Sequence, residues 1–185
     1  MRSLWMVLRG VTAFNEWLGR AVLSYFVLAF FVLLFYEVIM RYGFGSPTVW
    51  TGELSQMLFG SYAMLAGAYI MTQKAHVNVD IFYARFPRRV RAAVDVLTSF
   101  LFFAFLLVLV IEGYSLAEDS VSRWETSRSA WDPPVWPVKV TIPVGAGLLL
   151  LQGIVKLIHD LLIMLNLDPG EDLFAPEEKK AEDAL

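Results

Sequence analysis

Glu37 and Arg41 stand four positions apart, the spacing at which a carboxylate and a guanidinium meet across one helical turn. Glu53 follows after a short glycine- and proline-containing segment, and Glu112 ends a later apolar run. Ionisable groups near lipid pair internally, contact another protein, or mark the path of an ion or substrate. Glu37, Arg41, Glu53 and Glu112 fall at the ends of apolar stretches and not at their centres, which predicts a ring of charges at one membrane rim. The ring is expected to close through internal pairs, or to offer Arg41 or Glu53 to a partner. Conduction by the chain itself needs charge at mid-depth, where an uncompensated group costs at least about 2.5 kcal/mol, and the apolar stretches have almost none.

The two histidines, His76 and His159, both fall near ends of apolar stretches. A bis-imidazole haem would need them inside a bundle, a placement this pattern does not favour. Lys156, His159 and Asp160 share one helical turn and are expected to pair or to reach the headgroups. The absence of cysteine excludes disulfides, thiolate metal sites, iron–sulfur clusters and thiol nucleophiles. No serine is placed beside a histidine; Gly60-Ser61 instead begins a small-residue face continued by Ala63, Ala66, Gly67 and Ala68. Gly145, Ala146 and Gly147 form a second such face, with Pro143 expected in the first turn of its helix. Two close-packing faces suit a subunit that docks on another membrane protein, and Gly60, Ala63, Gly67, Gly145 and Gly147 are the expected contacts. The same faces would equally serve the chain's own bundle.

Hydrophobic residues make up 57% of the chain, and they concentrate in four stretches at about 18–40, 54–72, 92–113 and 140–161. A spanning helix needs about 20 apolar residues. The expected fold is therefore an all-α integral membrane protein, with four transmembrane helices in one domain over 1–165 and a charged, disordered cytoplasmic tail over 166–185. The first stretch is expected to be retained as the insertion signal, being too long for a signal-peptide core. There is no room for a separate soluble catalytic module.

Basic residues set the orientation. Arg2, Arg9 and Arg20 open the first span, Lys74, Arg85, Arg88, Arg89 and Arg91 lie between the second and third, and Lys156, Lys179 and Lys180 come last. The other side holds Arg41, Arg123, Arg128 and Lys139. Both termini and the middle loop are then cytoplasmic. That middle loop, with His76, Asp80, Arg85, Arg88 and Arg89 among aromatic and aliphatic residues, is expected to lie as a short amphipathic segment at the inner interface, against anionic membrane lipids. The first outer loop, 43–49, is short enough to make a helical hairpin. The second, 116–137, carries Trp124, Trp131 and Trp136, which read as an aromatic belt or as a docking surface for an extracytoplasmic protein. The charge balance gives no basic surface for nucleic acid.

Taken in order, these features resemble the small membrane subunit of tripartite ATP-independent periplasmic (TRAP) transporters. The resemblance is carried by Arg41-Tyr42-x-Phe44 and Trp50-x-x-Glu53 across the hairpin and by His76-Val-x-Val-Asp80 after the small-residue helix. It continues with Pro134-x-Trp136-Pro137, Ile142-Pro143-x-Gly145 and Leu149-Leu-Leu-Gln152-Gly153, covering roughly residues 14–162.

The resemblance implies a non-catalytic scaffold that joins a larger multi-span membrane subunit and a periplasmic substrate-binding protein in a bacterial inner membrane. It implies that a sodium gradient drives uptake of an organic anion such as a dicarboxylate, a 2-oxo acid or a sugar acid. Sodium and substrate would be held by the larger subunit, leaving this chain without cofactor, metal or substrate site. Docking of the binding protein would fall to Arg41, Trp50, Glu53 and the Trp124 to Trp136 loop, with Glu37 in the same outer-rim group as a docking residue or a structural ion pair. Two other classes stay open: the four-helix membrane anchor of a redox enzyme, which requires a haem or quinone site, and a small self-assembling channel, which requires a polar stripe along one span.

Overall fold

A computed structural model of the chain describes residues 2–73 and 87–165, and the secondary structure there is helical apart from turns and one isolated β-bridge. The expected interfacial segment with His76, Asp80 and Arg85, and the expected tail at 166–185, lie outside the described residues.

The chain begins as one long helical rod. Helix α1 (Arg2–Trp17) passes through a π-helical segment (Leu18–Leu23) into α2 (Ser24–Val38), and a second π-helical segment (Ile39–Gly43) ends the rod. The span expected at 18–40 is thus the later part of a longer helix. The cause is a buried stripe, Leu8, Thr12, Asn15, Gly19 and Leu23, spaced by three or four residues along one face. Its small and polar members escape a reading based on apolar runs. The π segment brings Gly19 against the ring of Tyr69, where any side-chain carbon would overlap ring atoms. At 1.5 Å per residue the 38 residues Met6–Gly43 extend about 57 Å, well beyond a hydrocarbon core of about 30 Å.

Three further helices follow: α3 (Thr51–Thr72), α4 (Arg88–Ser122) and α5 (Trp136–Met164). The stretches Met6–Gly43, Val90–Ser122 and Trp136–Met164 are long and apolar enough to cross a membrane. Helix α3 has 22 residues, about 33 Å, but is richer in glycine, alanine, serine and threonine. It packs on α2 on one side and on α5 on the other, while α5 also carries α4 and α1. Helix α5 is the central member of the bundle.

Two expectations are corrected at the α4–α5 connection. Helix α4 does not end near Gly113, so Glu112 is an exposed residue inside it and the loop between helices shrinks to 123–135. Helix α5 starts at Trp136, so Pro137 and not Pro143 occupies the first turn, where a missing backbone donor is tolerated. Pro143 lies inside the helix.

The interior is unusual for a soluble bundle and natural for one in lipid. Of the eight largest fully buried side chains, Gln152, Asn15, Thr51, Thr72 and Ser120 are polar, while large apolar residues such as Phe31, Leu97, Phe100 and Val108 point outward. In lipid, helices gain nothing by hiding leucine, and their contacts are made by small residues and hydrogen-bonding side chains. Gly145 shows this most sharply: a side-chain carbon there would come within 2.7 Å of the Met64 carbonyl carbon of α3.

Candidate docking face at the hairpin end of the bundle

Glu37 is the centre of the hairpin. Its residue is buried, and Oε1 accepts from Arg41 Nε at 3.0 Å and from Nη2 at 2.5 Å. Oε2 accepts from the Thr48 backbone N–H at 3.1 Å, from Thr51 Oγ1 at 2.7 Å and from the Thr48 hydroxyl, which also contacts that of Thr51. A buried carboxylate is tolerable only when its oxygens are saturated in this way. The carboxylate also sits beside the first residue of α3, where the helix N-terminus favours negative charge. Gly45, at φ +62°, supplies the turn that brings Thr48 back toward Glu37.

Glu53 does not join this group. It accepts from Ser129 Oγ at 2.6 Å, tying α3 to the 123–135 loop. Trp50 makes a parallel link, with its ring 6.0 Å from that of Tyr36 and 6.4 Å from that of Trp131. Trp124 stands edge-on to Trp136 at 6.0 Å. The residues singled out in the sequence therefore fall into three neighbouring contacts at one end of the bundle: Glu37 with Arg41, Glu53 and Trp50 with the loop, and Trp124 with Trp136. Sequence reasoning missed Thr48, Thr51 and Ser129, whose hydroxyls join the charges; ordinary hydroxyl residues in short loops carry no distinguishing signal.

The loop is closed on itself. Val135 N–H donates to the Glu125 carbonyl and Ser127 N–H to the Pro133 carbonyl, both at 3.0 Å, around a Thr126–Pro134 bridge. Asp132 Oδ1 accepts from Arg128 N–H at 2.9 Å, and Ser129 Oγ accepts from the N–H groups of Trp131 and Asp132. Trp124, Arg128 and Asp132 have φ of 47°, 55° and 54°, left-handed values that cost on the order of 1 kcal/mol or more for a non-glycine residue. Glu125 is bound by the Lys139 ammonium at the start of α5. That hydrogen bond holds the Glu125 carboxyl below the usual carboxylate range.

The opposite end holds a second ionic group. Lys156 of α5 donates to Asp160 at 2.9 Å and reaches Asp95 of α4 at 3.1 Å, with His159 Nδ1 3.7 Å from Asp160. Asp95 was not among the expected site residues. Arg88 and Arg89 are the first two residues of α4. Among the described residues no three histidine, aspartate or glutamate side chains gather as a metal site.

The small-residue faces are used largely within the chain. Gly145 meets the α3 backbone, Gly67 faces Leu149 and Gly60 faces Val138. Within the chain these three let α3 and α5 approach. Ala63 is exposed, and Gly147 has open space where a side chain would stand.

Helices of membrane-crossing length, buried polar side chains that bond one another, and a rim built of ion pairs and tryptophans define a helical membrane component. Residues 30–162 match the family model of the DctQ component of tripartite ATP-independent periplasmic transporters, and the chain belongs to that family. It is thus the small permease component of a TRAP transporter. None of the curated proteins gives a significant match.

Proposed function

We propose that this chain is a non-catalytic scaffold in a sodium-driven importer of an organic anion, a dicarboxylate, 2-oxo acid or sugar acid, in the bacterial inner membrane. It supports a larger membrane subunit that binds sodium and substrate, and it helps dock the soluble binding protein. It carries no cofactor of its own. Helix α3 serves as the fourth span, and both termini lie in the cytoplasm, the side favoured by the distribution of lysine and arginine.

The observation that carries this reading is the bracing of the hairpin end, where Glu37, Glu53, Trp50 and the 123–135 loop are bonded across separate helices. A rigid rim of charged and aromatic groups suits a surface against which a partner docks and a moving subunit works. The test is affinity purification of the tagged chain from its native host in mild detergent, with mass spectrometry of bound proteins. Stoichiometric recovery of a much larger multi-span protein is expected. Recovery of the chain alone, or with a soluble oxidoreductase, would overturn the reading.

A further inference from the structure

We infer that Arg128, at the tip of the 123–135 loop, is the anchor by which this chain grips an exposed carboxylate of the soluble binding protein. The inference rests on the docking role proposed above and assigns it to a residue and a chemistry.

The charges near the loop are unequally occupied. Arg123 is paired with Asp119 at 2.6 Å, Arg41 with Glu37, and Lys139 with Glu125. The Asp132 carboxylate accepts the backbone N–H of Arg128, not its side chain. The Arg128 guanidinium is exposed and makes no ion pair among the described residues. Its charge acts on the Glu125 carboxylate only at longer range, and among the described residues no carboxylate pairs with it directly. A guanidinium offers a planar fork of donors that matches a carboxylate in two parallel hydrogen bonds, so an aspartate or glutamate on the partner is the group it fits.

The backbone explains why this arginine is held ready. Arg128 occupies a left-handed conformation at φ 55°, fixed on both sides by the Ser127–Pro133 and Arg128–Asp132 hydrogen bonds. The tip is tied to α3 through Ser129 and Glu53. Ordering such a loop at the moment of binding would weaken association; here it is ordered beforehand. Trp131 and Trp124 stand exposed on the same loop, and arginine among tryptophans is the composition of strongly contributing interface centres.

The experiment uses the complete membrane complex in proteoliposomes, with its own soluble binding protein, loaded with substrate, as the titrated probe. The readout is the concentration of binding protein that gives half-maximal uptake. R128G keeps and relaxes the left-handed backbone while removing the guanidinium. It is expected to raise that concentration about tenfold, with uptake at saturation unchanged, and R128E to raise it further. R128K should recover part of the loss, and added salt should shrink the difference between R128E and wild type. R128N, which also tolerates this backbone, replaces R128G should the glycine lower the unfolding temperature. If R128G, R128N and R128E leave half-saturation unchanged while Trp131→Ala raises it, the Arg128 assignment is overturned and docking at this rim stands. If Trp131→Ala is also without effect, the docking reading fails with it.

Discussion

Asn15 Nδ2 donates to Gln152 Oε1 at 2.9 Å, tying the N-terminal helix to the middle of α5. Gln152 Nε2 continues to Thr12 Oγ1 at 3.2 Å, and that hydroxyl donates to the Leu8 carbonyl at 3.2 Å. All three side chains are buried, next to the apolar contact of Leu8 and Val11 with Val155 and Ile158.

Asn15→Ala and Gln152→Ala should each loosen α1. Interhelical hydrogen bonds in membrane bundles contribute about 0.6 kcal/mol on average and up to about 1.7 kcal/mol, so a coupling near 1 kcal/mol is expected for this pair. A double-mutant cycle on unfolding in detergent measures it, and hydrogen exchange over α1 should speed up in each single mutant. Additive losses with unchanged exchange would show that the pair does not hold α1 in place.

The contact between Gly145 and Met64 makes a different prediction. Gly145→Ala forces backbone apart from backbone, because the group in the way is the α3 peptide and not a flexible side chain. A loss of about 1–3 kcal/mol follows from such overpacking. Gly147→Ala, with open space around it, should cost less than 0.5 kcal/mol or stabilise through helix propensity. Thermal unfolding of the two variants side by side checks the ordering, and equal losses would contradict it.

Much of this architecture was legible in the sequence because lipid imposes a simple rule. An apolar run of about 20 residues must be helical, since nothing in hydrocarbon can satisfy an open backbone. That rule locates the apolar part of each long helix but not its ends. Glu118 and Asp119 lie exposed on the final turns of α4, where the helix continues past its apolar stretch, so the end of apolarity preceded the end of the helix. Residues 2–17 were missed for a related reason: their buried face joins Leu8 with Thr12 and Asn15, a pattern built for a neighbouring helix and not for lipid. At the hairpin rim the charges were readable from their spacing. Their partners were not, because the link from Glu53 to Ser129 joins residues 76 positions apart through an unremarkable hydroxyl.

Glu37 holds the hairpin through both carboxylate oxygens, and the kind of replacement should matter. Glu37→Gln keeps the shape but loses the charge that draws Arg41, and its amide nitrogen turns a donor toward Thr48 or Arg41. Glu37→Ala abandons Arg41, Thr48 and Thr51 together. The alanine variant is expected to lower the unfolding temperature more than the glutamine variant, and more than Arg41→Ala, which removes only one of the three partners. Thermal unfolding in a single detergent ranks them. Arg41→Ala matching Glu37→Ala would mean that the ion pair alone, without the threonines, secures the turn.

The Glu125–Lys139 contact joins the loop to α5 and predicts a dependence on pH. The folded carboxyl titrates below its ordinary value, so folding favours the ionised form. That contribution is complete above the ordinary carboxylate range and disappears as pH falls through the lower folded value. The unfolding temperature of the wild-type protein should therefore fall on acidification from about pH 6 to about pH 3 more steeply than that of Glu125→Gln, which has no proton to take up at this site. Lys139→Met should return the Glu125 titration toward the ordinary range and shrink the difference from Glu125→Gln, because the first cause of the shift has gone. Parallel acid profiles for wild type and Glu125→Gln would show that the loop does not draw on this contact.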